Sequence, residues 1–260
     1  MNVLTQKRML TFFIASLAGL LVSSCKGHEP LQEKGGGLSD HLFTGIIYPD
    51  GFDLTPIVAG YPTEGSSTYR GGVGILLKGD CYRSLPLEYY PYFLEKAIAF
   101  GDKPIKGAYY HVDSGDGDVF ATSVESIRIE ARTDYDASHP AGSSLSDIVE
   151  LRYDSYDHIF PNALPKLGEN IGMAWNTHRE LMTSFKPVKY LHRITERDCS
   201  VVKDEAKGVM RNDEAVAFFA VFKVLPTTPH QKFLVTLSLG DGQKFQGEVE
   251  VDVVDHKPVV

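Results

Sequence analysis

The stretch from Lys232 to Val254 carries the pattern that most restricts the fold of this chain. Apolar residues recur at every second position on both sides of a Gly-Asp-Gly turn at 240–242. Because successive side chains of a strand point to opposite faces, each run has one apolar and one polar face. Two such runs around a short glycine turn predict a hairpin over 232–254. Its apolar side consists of Phe233, Val235, Leu237, Val249 and Val251, and its outer side carries Glu248, Glu250 and Asp252.

Further strands are predicted upstream of this hairpin. Val124–Arg132 alternates apolar and charged residues, which is typical of a strand with one buried face. Ala215–Leu225 is apolar on both faces and predicts a central strand. Short apolar-aromatic runs at 43–48 and 52–59 are separated by Pro49-Asp50-Gly51, which predicts a turn between two strands. Together these patterns predict a mainly β fold, an antiparallel Ig-like β-sandwich with one or two short helices.

Two segments have helical signals. In Ser84–Gly101, Pro91 suits the first helical position and Gly101 suits the C-terminal stop. Thr177–Glu180 has the spacing of a capping box and predicts the start of a short second helix.

The first helical segment also carries three tyrosines, Tyr89, Tyr90 and Tyr92. One hypothesis makes them an aromatic platform for sugar rings. The other makes them part of a helix that packs across a sheet with its hydroxyl groups in water, and we favour this second hypothesis.

The first 25 residues predict export and lipidation. Lys7 and Arg8 precede an apolar run from Met9 to Val22, as in the charged start and apolar centre of a signal peptide. The run is shorter than the roughly 20 apolar residues of a membrane-spanning helix. Val22-Ser23-Ser24-Cys25 resembles the lipobox of bacterial lipoproteins, whose cysteine is acylated and becomes the first residue. We therefore predict a signal peptide over 1–24 and lipidation of Cys25, the alternative being an ordinary signal peptide with a chance cysteine.

The residues after Cys25 divide into a tether and a folded part. Residues 25–40 contain three consecutive glycines and few apolar residues, so they predict a flexible tether. Residues 41–260 form the predicted β-sandwich domain, and a pair of packed sub-domains is the alternative. A segment of this length buries an adequate core without covalent cross-links.

The charge of the chain excludes nucleic acid as a partner. The formal net charge is −8, and it becomes more negative when Lys7 and Arg8 leave with the signal peptide. Binding to phosphates needs clustered lysine and arginine, and this chain is acidic. Membrane attachment is therefore expected through the acyl chains on Cys25, in which each buried methylene contributes about 0.8 kcal/mol.

Cys81 and Cys199 remain once Cys25 carries lipid. In an oxidising compartment an even pair predicts a disulfide, and we favour it over two buried free thiols. Neither cysteine has the spacing of a zinc site.

Asp113, Asp116 and Asp118 follow a predicted strand and lie in a glycine-rich stretch. Three carboxylates so close together are candidate Ca²⁺ ligands. The spacing is not that of an EF-hand loop, so a polar hairpin turn is the favoured interpretation.

One stretch of the chain resembles a known group of proteins. Ser126-Ile127-Arg128-Ile129 is followed by Asp134-Tyr135-Asp136, then by His139-Pro140-Ala141-Gly142 and a Ser-Ser-Leu-Ser-Asp-Ile run that ends at Ile148. This order is similar to that in uncharacterised lipoproteins of the Bacteroidetes, which also begin with a lipobox. The resemblance implies a location and a fold, and it implies no activity.

The chain contains none of the common catalytic or nucleotide-binding motifs, such as G-x-S-x-G, H-E-x-x-H or a Walker A loop. The sequence therefore predicts a lipid-anchored protein of the cell envelope, on the periplasmic or surface-exposed face of the outer membrane. Its expected role is a non-catalytic binding or assembly module without a cofactor. Its partners would be membrane lipid, through Cys25, and an unknown protein or glycan of the envelope. The alternative is a glycan-binding or glycan-processing protein.

Overall fold

A computed structural model of the chain describes residues 37–39, 43–63, 66–83, 90–102, 110–112, 117–158, 160, 176–192, 194, 201–202 and 215–256. All of them belong to one compact unit, Gly36–Val260. The described residues form strands far more than helix, which confirms the prediction of a mainly β protein.

The strands of the described residues are β1 Gly37–Ser39, β2 Gly45–Thr63, β3 Ser66–Arg83, β4 Tyr110–Val112, β5 Asp118–Phe120, β6 Val124–Ala131, β7 Val149–Ser155, β8 Asn176–Leu181, β9 Leu191–His192, β10 Val201–Val202, β11 Ala215–Phe222, β12 His230–Leu239, β13 Lys244–Asp252 and β14 Asp255–His256. The α-helix α1 is Tyr90–Phe100, and the short 3-10 helix η1 is Met182–Ser184.

Six strands hydrogen-bond to one another in a closed ring. Their order is β2-β5-β9-β7-β11-β3, and β3 pairs back onto β2. β2 and β5 pair in parallel, and the other five pairings of the ring are antiparallel. This closed ring differs from the two open, stacked sheets of the predicted Ig-like sandwich. The cause is the length of β2 and β3, which have 19 and 18 residues. Besides pairing with each other, β2 pairs with β5 and β3 pairs with β11, which closes the ring.

The second sheet has three strands in the order β13-β12-β6. One apolar cluster joins it to the ring, and this cluster includes side chains from all six strands of the ring and all three strands of the second sheet. Burial of this shared surface is the main source of stability. The cluster includes Ile47, Ile75, Phe120, Leu151, Leu191 and Ala220 from the ring and Ile129, Phe233 and Val249 from the three-stranded sheet.

The C-terminal hairpin of β12 and β13 confirms the prediction made from its alternation. Leu239 donates its backbone N–H to the carbonyl of Gln243, and Gly242 between them has a φ of +90°, which favours glycine. All five residues predicted to face inward are buried, whereas the predicted outer positions of β13 are exposed.

Pro49-Asp50-Gly51 does not form the predicted turn. It lies inside β2, where the register with β3 shifts by one residue between Pro49 and Gly51. The extra residue is a β-bulge, which bends a strand without ending it. The turn signals at 49–51 therefore mark a bend in one long strand.

Helix α1 confirms the predicted helix where the structure describes it, from Tyr90. Gly101, with a φ of +96°, follows its last residue. The N–H groups of Gly101 and Asp102 bond to the carbonyls of Ile98 and Ala97. This pair of bonds is a Schellman motif, which satisfies carbonyls left open at the helix end. Phe93 and Ala97 are fully buried and belong to a second apolar cluster that packs on the ring.

The short helix predicted from Thr177–Glu180 is wrong, because these residues lie in strand β8. The six residues of β8 pair antiparallel with β7, from Asn176 opposite Ser155 to Leu181 opposite Glu150. A capping box describes only a first turn and needs a helical apolar period behind it. Pairing with β7 therefore overrides the local signal.

Three residues of the predicted tether lie in a strand. β1, Gly37–Ser39, pairs antiparallel with β4, Tyr110–Val112. The other residues predicted as tether, and the whole predicted signal peptide, lie outside the part of the chain that the structure describes.

The inward register of β13 predicts the effect of two matched substitutions. We expect Val249→Asp to lower the free energy of unfolding by about 3–5 kcal/mol, because it buries an unpaired charge. Gln246→Asp places the same group on the exposed side of the same strand, and its effect should stay within roughly 0.5 kcal/mol. Chemical denaturation of both variants measures the difference. A reversed order of the two losses would mean that the strand faces the opposite way.

Candidate functional site

Several residues singled out from the sequence lie outside the described part of the chain: Cys25, Tyr89, Asp113, Asp116 and Cys199. Cys81 is described and lies exposed in β3. The Cys81–Cys199 disulfide and the lipidation of Cys25 therefore stay predictions.

Asp118, the described member of the three candidate calcium ligands, is fully buried at the start of β5. Its Oδ1 lies 3.5 Å from the hydroxyl of Thr44. Among the described residues, no group of three or more histidine, cysteine, aspartate or glutamate side chains is placed to hold a metal ion. Asp118 thus occupies an interior position in the sheet, and a calcium role for the set of three stays a prediction.

The two described tyrosines of the candidate sugar platform do not lie on the same side of α1. Tyr90 packs toward the second apolar cluster, with its ring centroid 6.0 Å from that of Phe93. Tyr92 is 62% exposed. A flat platform needs coplanar rings side by side, so these two rings do not form one.

His139 bridges two carboxylates in the loop that connects β6 to β7. Its Nδ1 lies 2.8 Å from Asp136 Oδ1, and its Nε2 lies 3.2 Å from both oxygens of Asp147. A neutral imidazole has only one N–H, so donation to both carboxylates requires the imidazolium form. The sequence placed these residues close together in the chain, but it gave no sign of the bridge.

The ionisation of this bridge follows from its geometry. Burial of the ring lowers the pKa of His139, but the hydrogen bonds and charges of Asp136 and Asp147 outweigh this effect and raise the pKa above its usual value. The hydrogen bond from His139 is the largest of the causes that lower the pKa of Asp136. The raised pKa of His139 and the lowered pKa of Asp136 both favour the ion-paired form of the bridge.

The rest of this loop is held by bonds within the protein. The buried Tyr135 packs in the main core and donates its hydroxyl to the carbonyl of Val224. Asp134 accepts a bond from the N–H of Ala141, and Gly142 has a φ of +88°. The side chains of this motif thus serve the shape of the loop and its attachment to the core.

A polar cluster lies where β7 pairs with β8. The rings of Tyr153 and His178 stack with centroids 4.7 Å and planes 11° apart. Ser155 Oγ lies 3.1 Å from His178 Nε2, and the Tyr153 hydroxyl donates to Glu180. Burial lowers the pKa of His178, against the effect of nearby carboxylates, so the ring is neutral at pH 7. The sequence missed this cluster because it placed His178 and Glu180 in a helix.

Ser155 and His178 have the spacing of a nucleophile and its base, yet two observations count against catalysis. Ser155 is only 2% exposed. Within the described residues, no carboxylate bonds to the other ring nitrogen of His178, so a third group that would orient the base is missing there. We interpret the contact as a structural hydrogen bond between neighbouring strands.

A second set of charged groups is buried on β7 and β9, two strands of the ring. Arg152, Asp154 and His192 are at most 1% exposed. Arg152 Nε bonds to Glu150 at 2.7 Å, and His192 Nδ1 lies 4.0 Å from Asp154. Breaking a buried pair is costly because it leaves an uncompensated charge. These groups therefore constrain the ring and are not presented to solvent.

The outer face of the three-stranded sheet carries charged side chains that pair with one another, and we call it the charged sheet face. Glu248 accepts bonds from Lys232 at 2.9 Å and from Arg132 at 3.1 Å. These bonds lower the pKa of Glu248. The face consists of Arg128, Glu130, Arg132, His230, Lys232, Glu248, Glu250 and Asp252.

Among the described residues there is no helix with the length and apolar character needed to cross a membrane. Comparison of the chain with family models, with curated proteins and with solved structures finds no match.

The His139 bridge predicts a stability that depends on pH. Because its pKa is raised in the folded protein, the stabilisation by His139 is complete below the unfolded value of about 6.5 and is lost as the pH rises through the folded pKa. We expect His139→Asn to lower the free energy of unfolding more at about pH 5.5 than at about pH 9. Asp147→Asn should retain part of this difference, since Asp136 still holds the ring. Equal losses for His139→Asn at the two pH values would contradict the bridge.

Proposed function

We propose that this protein is a membrane-anchored extracytoplasmic lipoprotein whose folded domain is a non-catalytic binding or assembly module. The signal-like residues 1–24 and the lipobox-like sequence at Cys25 support the location. The similarity of residues 126–148 to uncharacterised lipoproteins of the Bacteroidetes supports the same location. In this proposal the anchor lies in the cell envelope, and Cys25 carries the acyl chains.

The charged sheet face carries the proposal of a binding role. It is an antiparallel surface on which basic side chains of β12 pair with acidic side chains of β13, as Lys232 does with Glu248, and Leu234 and Thr236 are neutral positions of β12 on the same face. Such a pattern fixes the register of a partner and rejects surfaces of the wrong charge. A partner protein with a matching pattern is the ligand class that suits a flat face of this kind.

The geometry of Ser155 and His178 supports the proposal of a non-catalytic role. The serine is buried, and its contact with His178 joins two paired strands. For a glycan ligand, the exposed Tyr92 is the described aromatic side chain best placed to meet a sugar ring. A single exposed ring supports this alternative less than a complete charged face supports a protein partner.

The membrane anchor predicts the result of a labelling experiment. Cells that express the full chain are given a palmitate analogue, and we expect the wild-type protein to carry the label. The Cys25→Ser variant should carry none, because it lacks the thiol that is acylated. Cys81→Ser is the matched control and should be labelled like wild type. Equal labelling of wild type and the Cys25→Ser variant would refute the anchor.

The binding role predicts a partner on one side of the domain. A photo-cross-linking amino acid at position 246, beside the charged sheet face, should form a discrete adduct in native membranes. The same amino acid at Glu95, on the exposed side of α1, serves as the control. We expect an adduct from position 246 that is absent from position 95. No adduct from either position, or the same adduct from both, would count against this face.

A further inference from the structure

Strand β13 is the outermost strand of the three-stranded sheet. Within the described residues it pairs with β12 alone. The other edge of its nine residues, Lys244–Asp252, has no strand hydrogen-bonded to it in the described part of the chain, and Asp252 at its end lies against Gly71 of β3. An unpaired edge of this length is a template for another extended segment.

The hydrogen-bond pattern shows which backbone groups face the open edge. Leu239 bonds to Gln243 at one end of the hairpin, and Val253 bonds to Pro229 at the other. Bonded pairs recur at every second residue of an antiparallel ladder, so the odd-numbered residues of β13 bond to β12. The N–H groups of Gln246, Glu248 and Glu250 therefore point away from β12.

β13 has neither of two devices that commonly block an edge, a bulge and a proline. Its register with β12 runs over nine residues without a bulge, and it contains no proline. The facing stretch of β2 differs, because Pro49 and Pro56 lack an N–H and the strand is bulged after Pro49. Hydrogen bonds to an added strand would therefore come from β13.

β2 contributes apolar side chains beside the outer edge of β13. Phe52 stacks on Phe245 of β13, with ring centroids 6.0 Å and planes 6° apart. Phe52, Leu54 and Phe245 are only partly buried, and they lie against the main core. An added strand would thus meet apolar side chains on its inner face.

The charges beside this edge indicate which kind of segment can pair with it. Glu248, Glu250 and Asp252 lie on the outer face of β13, where Arg132, His230 and Lys232 pair with them on the side of β12. Asp50 and Asp53 are exposed on β2. Pairing of β13 with a second copy of itself would place these acids near one another, and like charges on facing strands are destabilising. A segment with lysine or arginine at alternate positions has the opposite charge.

We propose that the outer edge of β13 binds an extended segment of a partner protein whose side chains alternate between basic and apolar, as an added strand. The proposal rests on the proposed binding role and gives it a site and a ligand class. The main-chain groups of Gln246, Glu248 and Glu250 supply the hydrogen bonds. The basic side chains lie beside the acids of β13, and the apolar ones meet Phe52, Leu54 and Phe245.

The test uses the mature protein and a fluorescent peptide of about nine residues that alternates lysine and valine, the length of β13. A peptide of the same composition, with its lysines and valines in separate blocks, is the control for charge. We expect the alternating peptide to bind and to slow amide hydrogen exchange at 246, 248 and 250. The odd-numbered amides of β13, already bonded to β12, should change little.

Two variants at one position separate backbone bonding from charge. Glu250→Pro removes an outward N–H and leaves the ladder to β12 intact, so binding should weaken about tenfold. Glu250→Gln removes the charge and keeps the N–H, so binding should weaken by only about twofold to threefold. Denaturation of both variants checks that they remain folded, and the exchange measurement on wild type stands without either variant.

Three results would overturn the proposal: no binding of the alternating peptide, equal binding of the block peptide, or equal effects of the two Glu250 variants. If the photo-cross-link from position 246 still forms, the binding role stands and only the edge of β13 is rejected. If neither the peptide binds nor the photo-cross-link forms, both the proposed function and the binding of a strand at the edge of β13 are rejected.

Discussion

The Arg70 side chain ties together three segments that are far apart in the chain. Its Nε and Nη2 bond to the two carboxylate oxygens of Asp255 at 2.6 and 3.1 Å, and its Nη1 bonds to the carbonyls of Phe222 and Lys223 at 2.9 and 2.7 Å. The arginine is 6% exposed, so its charge must be compensated inside the protein. The planar guanidinium group of Arg70 donates to four acceptors at once, which the ammonium group of a lysine cannot do. β3, the end of β11 and β14 are thereby held in one register.

The closure of the ring depends on this register. β3 passes close to its neighbours directly after Arg70, and the chain there has glycine at 71 and 72. A Cβ atom at Gly72 would lie 2.4 Å from the carbonyl oxygen of Ala220, and one at Gly71 would lie 2.1 Å from that of Asp252. Both neighbours are backbone atoms and cannot move aside cheaply. The missing side chains therefore let β3 contact β11 and the end of β13, and the shared core forms between the two sheets.

The parts of the structure that follow from local pattern were predicted, and the parts that follow from distant pairing were not. Alternation placed Val249 inside and Glu248 outside because a strand's side-chain period is independent of its partners. The closed ring and strand β8 depend on which strands meet, and neither is encoded in a short window. The same limit applies to the sites. His139 lies three residues from Asp136, but its contact with Asp147 requires the folded loop.

The loop between β6 and β7 also bears on the proposed binding surface. Tyr135 packs in the core and donates its hydroxyl to the carbonyl of Val224, and His139 bonds to two carboxylates. The polar groups of these two side chains are bonded inside the protein, so they serve the fold of the loop. Under the proposed binding role we expect a partner to meet β13 instead, because this strand presents outward N–H groups along one edge and acids on one face.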